Sequence, residues 1–244
     1  ANDRHSYNRC KAKFVQNIAG AAQVYFSLGK KISVIVKEKV CDHPLVYKGF
    51  EADTLSHTGK KQEVYVLGVE SPEDCHHLEV IAIQKPENEP FRFVAAPPGE
   101  EIYQPDIETA LRTPASETLS YTCRYEKSCG AVLFRQNNGR REYLLIKNRS
   151  LHTGFPKGHV EYGETELQTV LREIQEETGL TVDIIDGFRH AYDYKVKFFI
   201  HKTAVYLLGE FHSTEIVPQE GEVLDYWILP FQEAMDSLEF EQDR

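Results

Sequence analysis

The sequence predicts an α/β protein in two parts: a small, mainly-β barrel or sandwich, then a mixed sheet held between two helices. Three observations carry this. Short β-rich runs separated by turn residues fill residues 25–112 with no long helix among them. A polar stretch, TPASETLSY, follows at residues 113–121 and reads as a linker. From residue 122 onward strand-like runs return, now interrupted by a segment of helical period.

The chain order justifies each element. Residues 1–24 turn from polar to small and apolar (Ile18-Ala19-Gly20-Ala21-Ala22) and read as a lead-in with a short helix. Strands are expected at Ile32–Val36, Glu63–Val69, Val80–Ile83 and Phe91–Ala95. Turn signals such as His57-Thr58-Gly59-Lys60, Ser71-Pro72 and Lys85-Pro86-Glu87-Asn88 lie between them. Pro97-Pro98-Gly99 ends the run, and residues 105–112 make a closing helix. In the second part Cys129–Phe134 and Glu142–Ile146 flank a hairpin turn at Asn137-Asn138-Gly139. The loop Leu151–Gly158 leads to the helix, after which strands are expected at Thr181–Ile185, Lys195–Ile200, Lys202–Phe211 and Tyr226–Leu229. A second helix is expected over Phe231–Phe240.

Composition narrows the function classes. A hydrophobic fraction of 41% and a charged fraction of 27% are those of a soluble globular protein. No apolar run reaches the length of a membrane span, and the first residues lack the apolar core of a signal peptide. The five cysteines include no C-x-x-C pair, which argues against a disulfide framework or zinc site and for a reducing cytoplasm. No H-E-x-x-H motif accompanies the ten histidines, which read as surface residues. A net charge of −10 without a dense Lys/Arg run speaks against a general nucleic-acid binder.

Residues 158–180 read GHVEYGETELQTVLREIQEETGL. Thr165 followed by Gln168 forms a capping-box pattern that starts a helix, and Gly179 stands where a left-handed residue would stop it. Leu167, Val170, Leu171 and Ile174 give the helix one apolar face. Glu173, Glu176 and Glu177 recur at i, i+3 and i+4 and share a face, where like charges repel. Two readings are open for them: a solvated acidic face, or a site for a hard divalent cation with oxygen ligands, Mg²⁺ or Mn²⁺. Arg172 beside them offsets charge and can hold a glutamate in place.

Written as a pattern, the stretch is G-x5-E-x7-R-E-(apolar)-x-E-E-x-G-(apolar), with every position filled. A chance match in this chain is on the order of one in a million. The pattern resembles the signature of the Nudix hydrolases, whose fold is an α/β/α sandwich with a mixed sheet. The resemblance implies metal-dependent hydrolysis of a nucleoside diphosphate linked to another group. By motif position, Glu173, Glu176 and Glu177 would hold the metal, with the Gly158 carbonyl as a further ligand. Glu164 and Arg172 would orient the cluster. Which glutamate takes the proton from water stays open. A later carboxylate, Glu220 or Glu222, could join the site or be a solvated loop charge.

The entry FPKGHVEYGE and the FRHAYDY run look most like the asymmetrical diadenosine tetraphosphate hydrolases. That likeness implies a nucleotide polyphosphate substrate, with Lys157 as a phosphate contact and Tyr192 and Tyr194 as stacking platforms for a base. The alternatives are a surface lysine and strand-edge packing. Other substrates in view are a capped nucleotide and the 5′ end of RNA, and a rival class is a nucleotide sensor that binds without turnover. Residues 25–112 have a fainter likeness to the soluble inorganic pyrophosphatases, which implies a five-stranded OB-like barrel. Where that family carries metal-binding aspartates this chain has Thr58, Lys60 and Glu63, so an inactive relative is expected. An unrelated small β-domain is the other reading.

Overall fold

The computed structural model describes residues 26–42, 44–55, 60–87, 89–111, 119–197, 199–213 and 215–244. The expected lead-in at 1–24, Thr58, and residues 113–118 of the expected linker lie outside them. The chain divides into two units. The first runs to Tyr125 and takes in Lys195–His201; the second comprises Glu126–Tyr194 and Lys202–Arg244. Among the described residues no helix is long and apolar enough to cross a membrane.

Among the described residues the first unit is a mainly-β sheet with a helix on one face. Its strands are β1 (Lys31–Ile32), β2 (Val34–Asp42), β3 (Leu45–Leu55), β4 (Lys61–Leu67), β5 (Leu78–Pro86), β6 (Arg92–Ala96) and β7 (Leu119–Cys123), with α1 at Gln104–Leu111. They run in the order β1-β5-β6-β4-β3-β2, and β7 also pairs with β5. The β4–β6 pair is parallel, which makes the sheet mixed. Alternation along β4 serves two faces. Val64 and Val66 join a cluster with Leu28, Leu78 and Phe93. Tyr65 and Leu67 turn to the other side, where Ile107 and Ala110 of α1 cover them.

Two details differ from the sequence expectation. β3 was not foreseen, because Gly49 interrupts its pattern; a Cβ there would stand 2.3 Å from the Ile35 carbonyl oxygen, so the close approach of β2 requires glycine. Leu119–Tyr121 of the expected linker lie in β7, where Leu119, Tyr121 and Cys123 alternate with polar residues as a half-buried strand does. The small barrel is as expected: the order begins and ends in β1 and β2, separated only by Ser33, so this stretch of chain pairs with β5 at its start and with β3 after it.

The second unit is the α/β/α sandwich. Its strands are β8 (Tyr125–Asn137), β9 (Arg140–Asn148), β10 (Thr153–Gly154), β11 (Lys157–His159), β12 (Val182–Lys197), β13 (Ile200–Phe211) and β14 (Val223–Pro230); its helices are α2 (Glu166–Thr178) and α3 (Phe231–Ser237). The order is β10-β9-β8-β13-β12, with β11 on β8 and β14 on β9. Neighbouring residues of one strand enter opposite cores. Leu144 and Val205 pack with Val170 and Ile174 of α2. Leu145, Ala204 and Tyr206 pack with Ala234 of α3 and with Leu238. The β8–β9 hairpin turns through Asn138 and Gly139, both at positive φ (50° and 78°), as the sequence signal required.

Two expected strands, Thr181–Ile185 and Lys195–Ile200, prove to be parts of other elements. β12 runs unbroken through Lys197, and Ile200 opens β13. Gly187, at φ 89°, lets β12 change phase without ending. The second helix stops at Ser237, short of Phe240, and a 3-10 turn follows at Glu241–Asp243.

Candidate active site

Helix α2 is fixed at both ends by its own sequence. The Thr165 hydroxyl accepts from the Gln168 amide while the Gln168 side chain accepts from the Thr165 amide, a reciprocal capping box. At the other end Gly179 adopts the left-handed conformation (φ 70°) and its amide donates to the Gln175 carbonyl. The buried stripe is Val170, Ile174, Glu177 and Thr178. Leu167 and Leu171, expected on that stripe, are instead 45% and 40% exposed. They sit a helical step round from the 170–174 line, on the solvent side.

That rotation carries Glu177 inward, where it is 8% exposed. Its carboxylate accepts from the Lys157 amide at 2.9 Å, which ties the helix to β11. Burial, then the charge of Glu173, and also that of Glu222, lift its carboxyl to about 8. Burial likewise raises Glu173, opposed by Arg172 and reinforced by Glu176 and Glu222. Gly158 faces this carboxylate so closely that a Cβ would lie 2.0 Å from the Glu173 carboxyl carbon. A side chain there would displace that carboxylate.

Arg172 is the hub of the cluster. Its Nε and Nη2 donate to the two Glu164 oxygens at 2.7 and 2.9 Å. Its Nη1 donates to Glu173 at 2.7 Å and to Glu176 at 2.9 Å, and Nη2 also reaches the His159 carbonyl at 2.8 Å. Glu164 further accepts from the Glu161 amide and the Thr169 hydroxyl. Held first by Arg172, its carboxyl falls to about 2, and the guanidinium rises in turn. Glu164 and Arg172 thus brace the helix against the loop that carries Gly158.

Of the two later carboxylates, Glu222 acts on both Glu173 and Glu177, while Glu220 takes part in neither interaction. Both side chains belong to exposed loop residues just before β14.

Among the described residues no three Asp, Glu, His or Cys side chains are already gathered as a ligand set. Arg172 holds Glu173 and Glu176 instead. The donor chemistry nevertheless fits a hard divalent cation. Burial first, and then neighbouring carboxylates, raise Glu173 and Glu177, and a cation is what such a set lacks.

A basic wall adjoins the carboxylates. Lys157 and Lys202 face each other, and burial together with Lys157 lowers the Lys202 ammonium, against Glu126, whose carboxylate is 3.9 Å away. Crowding around its ring, then Lys202, Lys157 and Arg172, holds the His159 imidazole low; the residue as a whole is exposed, so the direction rests on the three cations. Lys202 and His159 were absent from the sequence-based site. The signal for Lys202 was its alternation with Ala204 and Tyr206 along one face of β13.

The tyrosines divide. Tyr192 and Tyr194 stand 5.8 Å apart between ring centroids, and Tyr192 stacks on Tyr206 at 6.3 Å. The Tyr192 hydroxyl donates to Asp243 at 2.5 Å, which makes it a packed residue as well as a candidate platform. Tyr194 has no such tie among the described residues; burial and then Asp243 and Glu126 raise its phenol.

A family model for the NUDIX domain matches residues 124–244. The chain is 37% identical over 126 residues to the asymmetrical bis(5′-nucleosyl)-tetraphosphatase of Sus scrofa, covering 47% of this chain and 85% of that protein. It is 33% identical over 130 residues to the Rattus norvegicus protein of the same name, covering 48% and 86%. A crystal structure of a C. elegans Ap4A hydrolase binary complex is similar at a TM-score of 0.45 and 25% identity, over 48% of this chain and 88% of that one. The complete glutamate signature on α2, the family model and the two tetraphosphatase relatives together establish that the chain belongs to the Nudix hydrolases.

Proposed function

We propose that the second unit hydrolyses a phosphoanhydride bond in a dinucleoside polyphosphate, with diadenosine tetraphosphate as the favoured substrate. The observation that carries this reading is the juxtaposition on one short loop. Lys157 contributes its amide to a catalytic-helix carboxylate, while two residues earlier Phe155 packs on Tyr206 at the aromatic end. A polyphosphate lying along that loop would have carboxylates at one end and ring faces at the other. The relatives named above share this branch of the family.

Glu173, Glu176, Glu177 and the Gly158 carbonyl would hold the cation, and Glu222 is better situated than Glu220 to join them. A bound Mg²⁺ or Mn²⁺ would neutralise charge on the phosphate oxygens and make a bound water more acidic. Glu164 and Arg172 orient the carboxylates. Lys157 and Lys202 attract the remaining phosphates, and His159, kept neutral by the cations around it, can donate a hydrogen bond without adding charge. Tyr194 offers a ring face to an adenine.

Mass analysis of the products tests the reading. Diadenosine tetraphosphate with Mg²⁺ should give ATP plus AMP. Two ADP would contradict an asymmetrical cut, and no turnover alongside hydrolysis of a capped RNA 5′ end would move the assignment to that substrate.

A further inference from the structure

The segment after α3 folds back over the aromatic end of the site and is held at two points. Glu239 accepts from the Thr153 amide at 3.1 Å and meets the His152 Nδ1 at 2.8 Å. Farther on, Asp243 Oδ1 accepts from both the Tyr192 hydroxyl (2.5 Å) and the Tyr206 hydroxyl (3.2 Å). Burial and the neighbouring carboxylate keep both phenols protonated, so each remains a donor. Asp243 has no ion-pair partner among the described residues.

Its second oxygen, Oδ2, is engaged by neither tyrosine. It points toward Gly154, where even an added Cβ would keep 3.7 Å away, and the residue is part-exposed. An acceptor-only oxygen is therefore left without a tyrosine donor at the aromatic end, with its partner oxygen locked by two phenols. A Cβ at residue 154 would stand in van der Waals contact with that oxygen, so glycine keeps that side of it clear. Such a group rewards a ligand that brings an N–H and penalises one that brings a carbonyl oxygen.

We infer that Asp243 is a specificity-determining residue that reads the amino edge of the substrate's base, favouring adenine, with its 6-amino donor, over hypoxanthine, with its 6-oxo acceptor. This rests on the reading that a nucleotide base occupies the Tyr194 end of the site. The Tyr192 and Tyr206 hydroxyls are its positioning groups: they fix which oxygen is offered and in which direction.

Binding to the full chain, measured by calorimetry with ATP and with ITP in the presence of Mg²⁺, tests this without relying on turnover. The unaltered chain should bind ATP about tenfold more tightly than ITP, as expected for one hydrogen bond to a charged group. Asp243→Asn, which keeps an acceptor for the tyrosines but adds a donor, should bring the two affinities within about twofold, chiefly by improving ITP. Tyr192→Phe, which keeps the ring, should narrow the ratio in part. Equal affinities in the unaltered chain, an undiminished ratio in Asp243→Asn, or no binding of ATP would each overturn the assignment. A clear ATP preference with no cleavage of diadenosine tetraphosphate would sink the proposed reaction and leave Asp243 standing.

Discussion

Gly158 shows how strictly single residues set this site. No positive φ requires a glycine there; the Glu173 carboxylate occupies the space a side chain would need. Gly158→Ala must push Glu173 or β11 aside by an ångström or more. Misplacement of that size costs about a hundredfold in rate, so turnover of the variant should drop by that order while its far-ultraviolet dichroism is unchanged. Turnover within a few-fold of the unaltered protein would show that the close approach does not matter. The sequence pattern located Gly158, Glu164, Arg172 and the three glutamates because they are local to one loop and one helix. It could not separate Glu220 from Glu222, since that choice depends on how the turn at Gly221 (φ 83°) aims the chain. Lys202, His159 and Asp243 were hidden for a related reason: what makes each of them unusual is a neighbour distant in sequence.

At the scale of elements, α2 is the piece that everything else positions. Beyond its caps it is pinned by Glu166 in its first turn. That carboxylate receives the Lys127 ammonium at 2.8 Å from β8 and a two-pronged Arg189 guanidinium at 2.7 and 2.8 Å from β12. Arg189 first, then Lys127, hold the carboxyl at about 2 against the effect of partial burial, from an ordinary 4.5. A carboxyl lowered in the folded state adds stability above its unfolded value and loses it as pH falls toward the folded one. Glu166→Gln should therefore cost about 1 kcal/mol at neutral pH, and the difference should fade between pH 4.5 and 2 in denaturant titrations. A pH-independent difference would mean that the pairs contribute nothing electrostatic. Helix caps and the β8–β9 turn were legible because their signals are short and stereochemical. The unbroken β12 was not: Gly187 reads as a breaker, whereas the strand uses it to change phase. The reach of α3 was overestimated because Leu238 and Phe240 continue an apolar pattern that the chain uses in an extended segment instead.

At the scale of the whole molecule, the glutamate signature lies in the second of two units. The NUDIX match begins at Arg124 and leaves the first sheet outside it. In that sheet Glu63, the one carboxylate expected to survive from a pyrophosphatase-like set, is bound between Lys48 at 3.2 Å and Arg92 at 3.1 Å. Lys60 lies exposed nearby in sequence. Such a glutamate is already held by two cations. In the proposed reaction the carboxylates of α2 bind the cation that hydrolysis needs. Mn²⁺ binding, followed by electron paramagnetic resonance, and turnover of diadenosine tetraphosphate should be measured together on the unaltered chain and on Glu177→Gln. The variant should keep its fold, bind Mn²⁺ more weakly and lose at least about a hundredfold in turnover, since even residues that only orient metal ligands cost ten- to a hundredfold. Equal Mn²⁺ affinity and equal turnover in the two proteins would contradict that role for the carboxylates.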